Sequence, residues 1–480
     1  MRAILTVGFL GVVCSLSAAI TITVPRAPPS TAVNVDPAAL SVSLEFFAFP
    51  DYTQLTATTN CLDYIGSLRG APPAIRIGGT TQDRAIYDPS LQSAVNYTVA
   101  DPSDAPASLT YGPSFFTLAS KLKGDVTVGL NRQLNNLTNS LAAAEHANAI
   151  MENLYAMELG NEPDLYSQSS PIVPAGSTWS PSVDGQSQRA WFTSMAPSVG
   201  DLFQGAVYLS YPEWSTRGLI PILSSAISYV KTFSGHSYPQ SACGGASTDL
   251  PSLMNHSEIV TYTSQYGSDA AAAHGAGKKY FLGETNSATC GGGGISPTFG
   301  AALWVMDYVL QGLLNNVDRL YFHQGTIGNC QYCFWGRSAV GTPFYGAAFV
   351  SDFLGDNSAR LAMLDNGTGL TAVYAAYADT GAPTRLLVYN SDYYNGTGSR
   401  SSAAVFIPGI MNASGSVHVK RLTAPSATAR VDQGANVTIG GVQFDAACQL
   451  TGTQNTEKIS IEGGSISVSV KASEALIVYL

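Results

Sequence analysis

"YAMELGNEPDLY", residues 155–166, is the stretch on which the reading of this chain turns. It opens with residues suited to a buried strand and breaks at Asn161-Glu162-Pro163, leaving a carboxylate at the strand's end in a chain only 12% charged. A second stretch, "KYFLGETNS" (279–287), ends the same way, with an apolar run, a glycine and then Glu284. Six further short runs rich in β-branched and aromatic residues lie between Leu40 and Leu354: "SVSLEFF" (41–47), "AIRIGG" (74–79), "VTVGLN" (126–131), "GAVYLS" (205–210), "GHSY" (235–238) and "RLYFHQG" (319–325). With "LYAMELGNE" (154–162) fourth and "KYFLGE" (279–284) seventh, and helical patterns between most of them, they predict a (β/α)8 TIM barrel, an α/β fold whose functional residues stand where strands end.

The helix before the eighth run is the clearest: Ser296 can cap it, Pro297 suits its first turn, and Leu303, Met306, Leu310 and Leu313 recur at helical spacing. After Gly355 short alternating runs such as "RLLVYN", "AAVFIP", "SISVSV" and "ALIVYL" replace that periodicity, which predicts an antiparallel β-sandwich. The expected organisation is a signal peptide at 1–19, an N-terminal strand region at 20–39 joining the sandwich, a catalytic barrel at 40–355 and a C-terminal sandwich at 356–480. No aromatic platform marks the sandwich as a separate binding module.

Residues 1–19 carry one basic residue, an apolar run and small residues at Ser17 and Ala19, the pattern of a secretory leader. Removing them takes Cys14 and leaves Cys61, Cys243, Cys290, Cys330, Cys333 and Cys448, an even set that an oxidising compartment would pair in one of 15 ways. Sequons at Asn96, Asn136, Asn255, Asn366, Asn395, Asn412 and Asn436 fit a secreted glycoprotein, some of them unoccupied. A net charge of −10 with no basic block makes nucleic acid and long sulfated polyanions poor partners. Past the leader nothing approaches the ~20 apolar residues of a membrane helix.

Two carboxylates emerging at one face of a barrel are what glycoside hydrolysis requires: one protonates the leaving oxygen while the other attacks the anomeric carbon or activates water. The Asn-Glu-Pro end of the fourth run and the Gly-Glu-Thr end of the seventh, followed by "NSATCGGGG" (286–294), resemble glycoside hydrolase family 79, which contains β-glucuronidases and heparanase. The resemblance spans almost the whole mature chain. It implies a retaining enzyme with Glu162 as acid/base and Glu284 as nucleophile. It further implies that Glu45 binds sugar hydroxyls, that His236 and Tyr238 are the family's His-x-Tyr, and that Gln324, Tyr332 and the backbone of Gly291 and Gly292 contact the uronic acid. Asn161 would bond the sugar 2-hydroxyl, and Arg76 would keep Glu284 ionised. The expected substrate is a carbohydrate with a terminal β-glucuronosyl unit, including a 4-O-methylated one; no cofactor and no metal is expected. Heparanase-type endo action is disfavoured by the lack of basic patches and of an excised segment. Neutral-sugar hydrolysis and a non-catalytic carbohydrate-binding protein are the remaining alternatives.

Blander readings stand beside these. Glu158 shares strand parity with Glu162, yet its deeper position suits a buried ion pair, with Arg76 as partner. His236, Tyr238 and Tyr332 would serve equally as core residues without the family likeness. The Cys330-x-x-Cys333 pair lacks a second such pair and a histidine at ligand spacing, so a structural disulfide is favoured over zinc or redox chemistry. "CGGGG" lacks the Lys-Ser/Thr of a phosphate loop, and "GHSYP" is not G-x-S-x-G.

Overall fold

Eight strands close a barrel: β1 (Leu40–Glu45), β2 (Ile75–Gly78), β3 (Val126–Leu130), β4 (Leu154–Leu159), β5 (Phe203–Tyr208), β6 (Val230–Ser237), β7 (Lys279–Thr285) and β8 (Arg319–Gln324). Each pairs in parallel with the next, and β8 returns to β1 with Gln324 beside Leu44. The computed structural model describes residues 20–410 and 414–480; the expected leader, Cys14 and the Asn412 sequon lie outside them. Among the described residues no helix is long and apolar enough to cross a membrane.

All eight runs read from the sequence are barrel strands, with shifted ends. β4 stops at Leu159 because Gly160 takes φ +86°, a left-handed turn. β6 begins at Val230, earlier than "GHSY" suggested, and β5 runs 203–208 rather than 205–210. In β5 Ala206 (φ +72°) and Val207 (φ +67°) form a bulge at a register shift against β6. A β-branched residue at positive φ is strained, and such bulges re-aim the chain beyond them; here that chain carries Leu209 to the cavity described below.

The helix Phe299–Leu314 corrects one expectation: its cap is Thr298, whose side chain accepts from Ala301 N, and not Ser296. Ser296 is instead buried with its hydroxyl donating to Gly292 O at 2.8 Å, so Pro297 precedes the cap. The helix is buried nearly all round because it lies between the barrel and the second unit.

That unit comprises β9 (Ser358–Met363), β10 (Thr371–Ala378), β11 (Pro383–Asn390), β12 (Ser402–Pro408), β13 (Ser414–Thr423), β14 (Glu457–Glu462), β15 (Ser465–Lys471) and β16 (Glu474–Tyr479). With shorter strands they form one 11-stranded sheet in the order β12-β15-β14-β13-β16-β11-β10-β9. Ile20–Thr21 adds in parallel beside β12, and Val33–Asn34 adds antiparallel beside β9. Ala362 of β9 and Val405 of β12, near opposite ends of that order, share one apolar cluster, so the sheet curls over its own core as a sandwich. Period-two alternation serves both faces: Val373, Ala375 and Tyr377 enter this core, while Tyr374 and Ala376 join the cluster shared with the barrel.

Cys61–Cys448 bridges barrel and sandwich across 387 residues, while Cys243–Cys290 and Cys330–Cys333 brace loops at the barrel's C-terminal face. A buried polar staple adds to the first. His256 Nδ1 lies 2.8 Å from Asp307 and Nε2 3.2 Å from Asp365, while Tyr374 donates to Asp307 and accepts from Gln311 at 2.7 Å. Burial disfavours the imidazolium, but Asp307 and Asp365 outweigh it and raise His256 to about 10. A group raised in the folded state contributes stability that is complete below its unfolded value near 6.5 and is lost as pH rises through about 10. His256→Asn should therefore cost about 3–5 kcal/mol at pH 6. The gap in melting temperature between wild type and variant should shrink steadily toward pH 10; a constant gap would show that the charge contributes nothing.

Candidate active site

Glu162 and Glu284 meet at the C-terminal mouth of the barrel, bordering a cavity of about 630 Å³. One ligand oxygen of each, together with a ring nitrogen of His236, lie within 4.8 Å of one another. Carboxyls this near can flank a single glycosidic bond, the arrangement that two-carboxylate glycoside hydrolysis needs.

The turn after β4 aims the first carboxylate. Glu162 sits at φ +45°, a left-handed conformation that costs a non-glycine residue about 1–3 kcal/mol, and Pro163 follows. Buried Asp83 holds the turn, accepting from Asn161 N at 2.7 Å and Tyr166 OH at 2.6 Å on one oxygen and from Arg132 N at 3.0 Å on the other. Trp179 Nε1 donates to Pro163 O at 2.6 Å. Nothing in the sequence singled out Asp83, because a turn clamp drawn from a distant loop leaves no local pattern.

β2, β6 and β7 build the second carboxylate's surroundings. Arg76 Nη1 donates to Glu284 Oε2 at 2.6 Å and Tyr238 OH to Oε1 at 2.7 Å. Burial pushes Glu284 up, but His323, Arg76 and the Tyr238 hydroxyl overcome it and hold the carboxyl well below the usual range. Glu162 moves the other way: burial first, then the charges of Glu284 and Asp164, raise it well above the usual range. Paired carboxyls pushed in opposite directions are how one site holds an acid and a nucleophile together.

His236 Nδ1 lies 2.9 Å from Glu162 Oε1, and burial lowers the imidazole to about 4, so it is neutral near pH 7. Its Nε2 is buried without a partner. An unpaired buried N–H costs more than an unpaired acceptor, so the network assigns the proton to Nδ1, donating to Oε1. In that arrangement Oε2 is the oxygen of Glu162 on which a proton would sit. Glu162, His236 and Glu284 also have the donor set of a cation site; here those atoms engage each other, Arg76 and Tyr238.

The other expected residues are placed unequally. Glu45 lines the cavity, its Oε1 accepting from Thr81 N at 3.1 Å and Thr81 Oγ1 at 2.5 Å. Tyr332 lines it too, its ring 6.5 Å from that of Tyr238. Asn161 is buried beneath Glu162, its Oδ1 accepting from Arg76 Nη2 at 2.8 Å. Thr289 and Cys290 of the glycine turn border the cavity, while Gly291 and Gly292 lie just behind, with Gly292 O engaged by Ser296. Gln324 departs from expectation: it is fully buried, donates to the carbonyls of Phe322 and His323 and accepts from Phe334 N at 2.7 Å. These bonds brace the loop that carries Tyr332, and Gln324 does not border the cavity. Glu158 takes the ion-pair position, with Arg76 Nη2 at 2.5 Å and Gln204 Nε2 at 2.6 Å. His323, which the sequence reading passed over, sits between Glu45 and Glu284.

Residues 373–477 match the model of the glycosyl hydrolase family 79 C-terminal beta domain. A beta-glucuronidase of Aspergillus niger is 31% identical over 414 residues, covering 78% of this chain and 75% of that protein. A beta-glucuronidase of Neurospora crassa is 31% identical over 478 residues, covering 87% and 82%. The crystal structure of a 4-O-α-L-rhamnosyl-β-D-glucuronidase from Fusarium oxysporum 12S, in complex with Rha-GlcA, is 44% identical with a TM-score of 0.93, covering 96% of this chain and all of that one. Matches of this length and identity, falling on a barrel whose two glutamates face one cavity, place the chain in glycoside hydrolase family 79, as a glycoside hydrolase of the β-glucuronidase type.

Proposed function

We propose that this glucuronidase is a secreted, retaining exo-enzyme that removes a terminal β-linked glucuronosyl unit by double displacement. The observation that carries the reading is the approach of Glu162 and Glu284 within 4.8 Å, the pKa of the first raised and that of the second lowered. Glu284 attacks the anomeric carbon as the bond to the aglycone breaks, and the Glu162 proton goes to the departing oxygen. Water then adds to the same carbon, its proton passes to Glu162, and the electron pair of the ester bond returns to Glu284. NMR of the first-formed sugar should show the β-anomer; an initial α-anomer would overturn retention.

Among the described residues no Lys or Arg lines the cavity, which supports a glucuronide held by hydroxyl and amide donors over a sulfated polyanion. Burial, with Glu284 and Glu45 nearby, raises the Tyr332 phenol, so it stays a donor. Tyr332→Phe is expected to narrow the preference for an aryl β-glucuronide over the aryl β-glucoside by roughly 10- to 100-fold, the worth of one hydrogen bond to a charged group. Equal or better wild-type rates on the glucoside would sink the uronide reading.

The 44% identical Fusarium enzyme supports an α-L-rhamnosyl cap on O4 of the glucuronosyl unit, which would then leave as a capped unit, and a 4-O-methyl cap is the alternative. A cavity near 630 Å³ leaves room beyond a single ring. Comparing plain, 4-O-methyl and 4-O-α-L-rhamnosyl β-glucuronides ranks the three caps directly. The leader-like N-terminus and three disulfides support export.

A further inference from the structure

Glu284 stands at the centre of a buried line in which acidic and basic side chains alternate. On one side Arg76 contacts Glu284 at 2.6 Å and Glu158 at 2.5 Å. On the other, His323 places Nδ1 3.6 Å from Glu284 Oε2 and Nε2 3.3 Å from Glu45 Oε2. The order is Glu158 on β4, Arg76 on β2, Glu284 on β7, His323 on β8 and Glu45 on β1, so five strands contribute one member each. Ser43 Oγ ties the arms together, accepting from Arg76 Nη1 at 3.0 Å and lying 3.0 Å from His323 Nδ1. We propose that His323 is a positioning residue for the nucleophile, and that Glu45–His323 is the counterpart of Glu158–Arg76, each cation arriving with its own carboxylate. The proposal rests on the reading of Glu284 as the nucleophile.

The physical need arises during turnover. When an oxygen of Glu284 bonds to the anomeric carbon, its negative charge disappears, and it returns when water cleaves the ester. A cation paired with Glu284 alone would be stranded at that moment in a buried site, where an unpaired charge is strongly disfavoured. Arg76 keeps Glu158 throughout, and His323 keeps Glu45. The same two carboxylates also temper the cations, so that Glu284 is ionised without being held too tightly to attack. The groups facing the His323 ring are Glu45 and Ser43 from β1, Arg76 from β2, Glu162 from the turn after β4, Glu284 from β7 and the Tyr332 ring at 6.2 Å from the loop after β8. Burial opposes the imidazolium, yet Glu284 and Glu45 raise His323 above its ordinary value.

The test is the pH profile of kcat/KM on an aryl β-glucuronide for wild type and His323→Asn, with melting curves as a check on folding. Loss of the imidazolium should move the acid limb upward by about 1–3 units, the effect of one opposite charge at this range. A large fall in kcat with little change in KM should accompany it. A merely structural role lowers the rate at every pH and leaves the limb in place, and that result overturns the proposal. Should the variant not fold, histidine NMR of the wild type decides, the His323 signal being assigned by elimination with the other five histidines replaced singly. After trapping with a 2-deoxy-2-fluoro-β-glucuronosyl fluoride, His323 should still titrate above ~6.5; a neutral ring at pH 7 in the trapped enzyme overturns the proposal. Failure of the underlying reading looks different, because the trap would then leave Glu284 unlabelled.

Discussion

Replacing Glu284 with Gln should lower turnover of an aryl β-glucuronide at least about 10,000-fold, the scale of loss when the attacking group of a covalent mechanism is removed. The variant keeps the shape of the side chain and hydrogen bonds to Arg76 and Tyr238 remain feasible, so binding should persist while the glycosyl-enzyme never forms. Mass spectrometry after incubation with a fluoroglucuronide trap should find the wild type one glucuronosyl unit heavier and the variant unmodified. A variant that retains wild-type rates would refute the assignment of Glu284 as nucleophile, whatever the geometry suggests.

Glu162→Ala should produce the second-largest effect, and its size should depend on the leaving group. Alkyl or glycan aglycones need a proton as they depart, so their cleavage should slow by about 100- to 10,000-fold, the range of general acid catalysis. Aryl groups with acidic phenols leave unaided, so their glycosylation step should be far less affected and the glycosyl-enzyme should accumulate. The alkaline limb should vanish as well, since wild-type activity is expected to fall as pH rises through the elevated pKa of Glu162. A uniform loss across all leaving groups would point to a folding defect at the strained turn and away from acid catalysis.

Much of this was legible in the sequence because barrel chemistry is local: a strand's end fixes where its last side chain points, so "GNEP" and "LGET" declare two carboxylates at one face. Glu158 was also readable, since its parity on β4 aims it inward and four residues of depth separate it from Glu162. What escaped depends on distance. His323 was read past within "RLYFHQG" because its meaning comes from Glu45 and Glu284 on other strands. Asp83 clamps a turn 78 residues away, a relation no short window contains. Gln324 is a further case: family likeness gave it a sugar contact, while the bonds its amide makes to backbone groups around Phe334 were not readable from the sequence. Thr298 replaced Ser296 as helix cap because two residues, each able to cap, compete, and the packing of Ser296 against Gly292 decides between them.

The sandwich strand that comes last in chain order is also the one the sandwich is built around. β16 pairs with β11 on one side and β13 on the other, in the middle of a sheet whose outer strand comes from Ile20–Thr21. The barrel strands can pair among themselves without β16, whereas the centre of the sandwich closes only once it is in place. Without β16 the sheet falls into two halves, so a truncation within Glu474–Tyr479 removes the keystone strand.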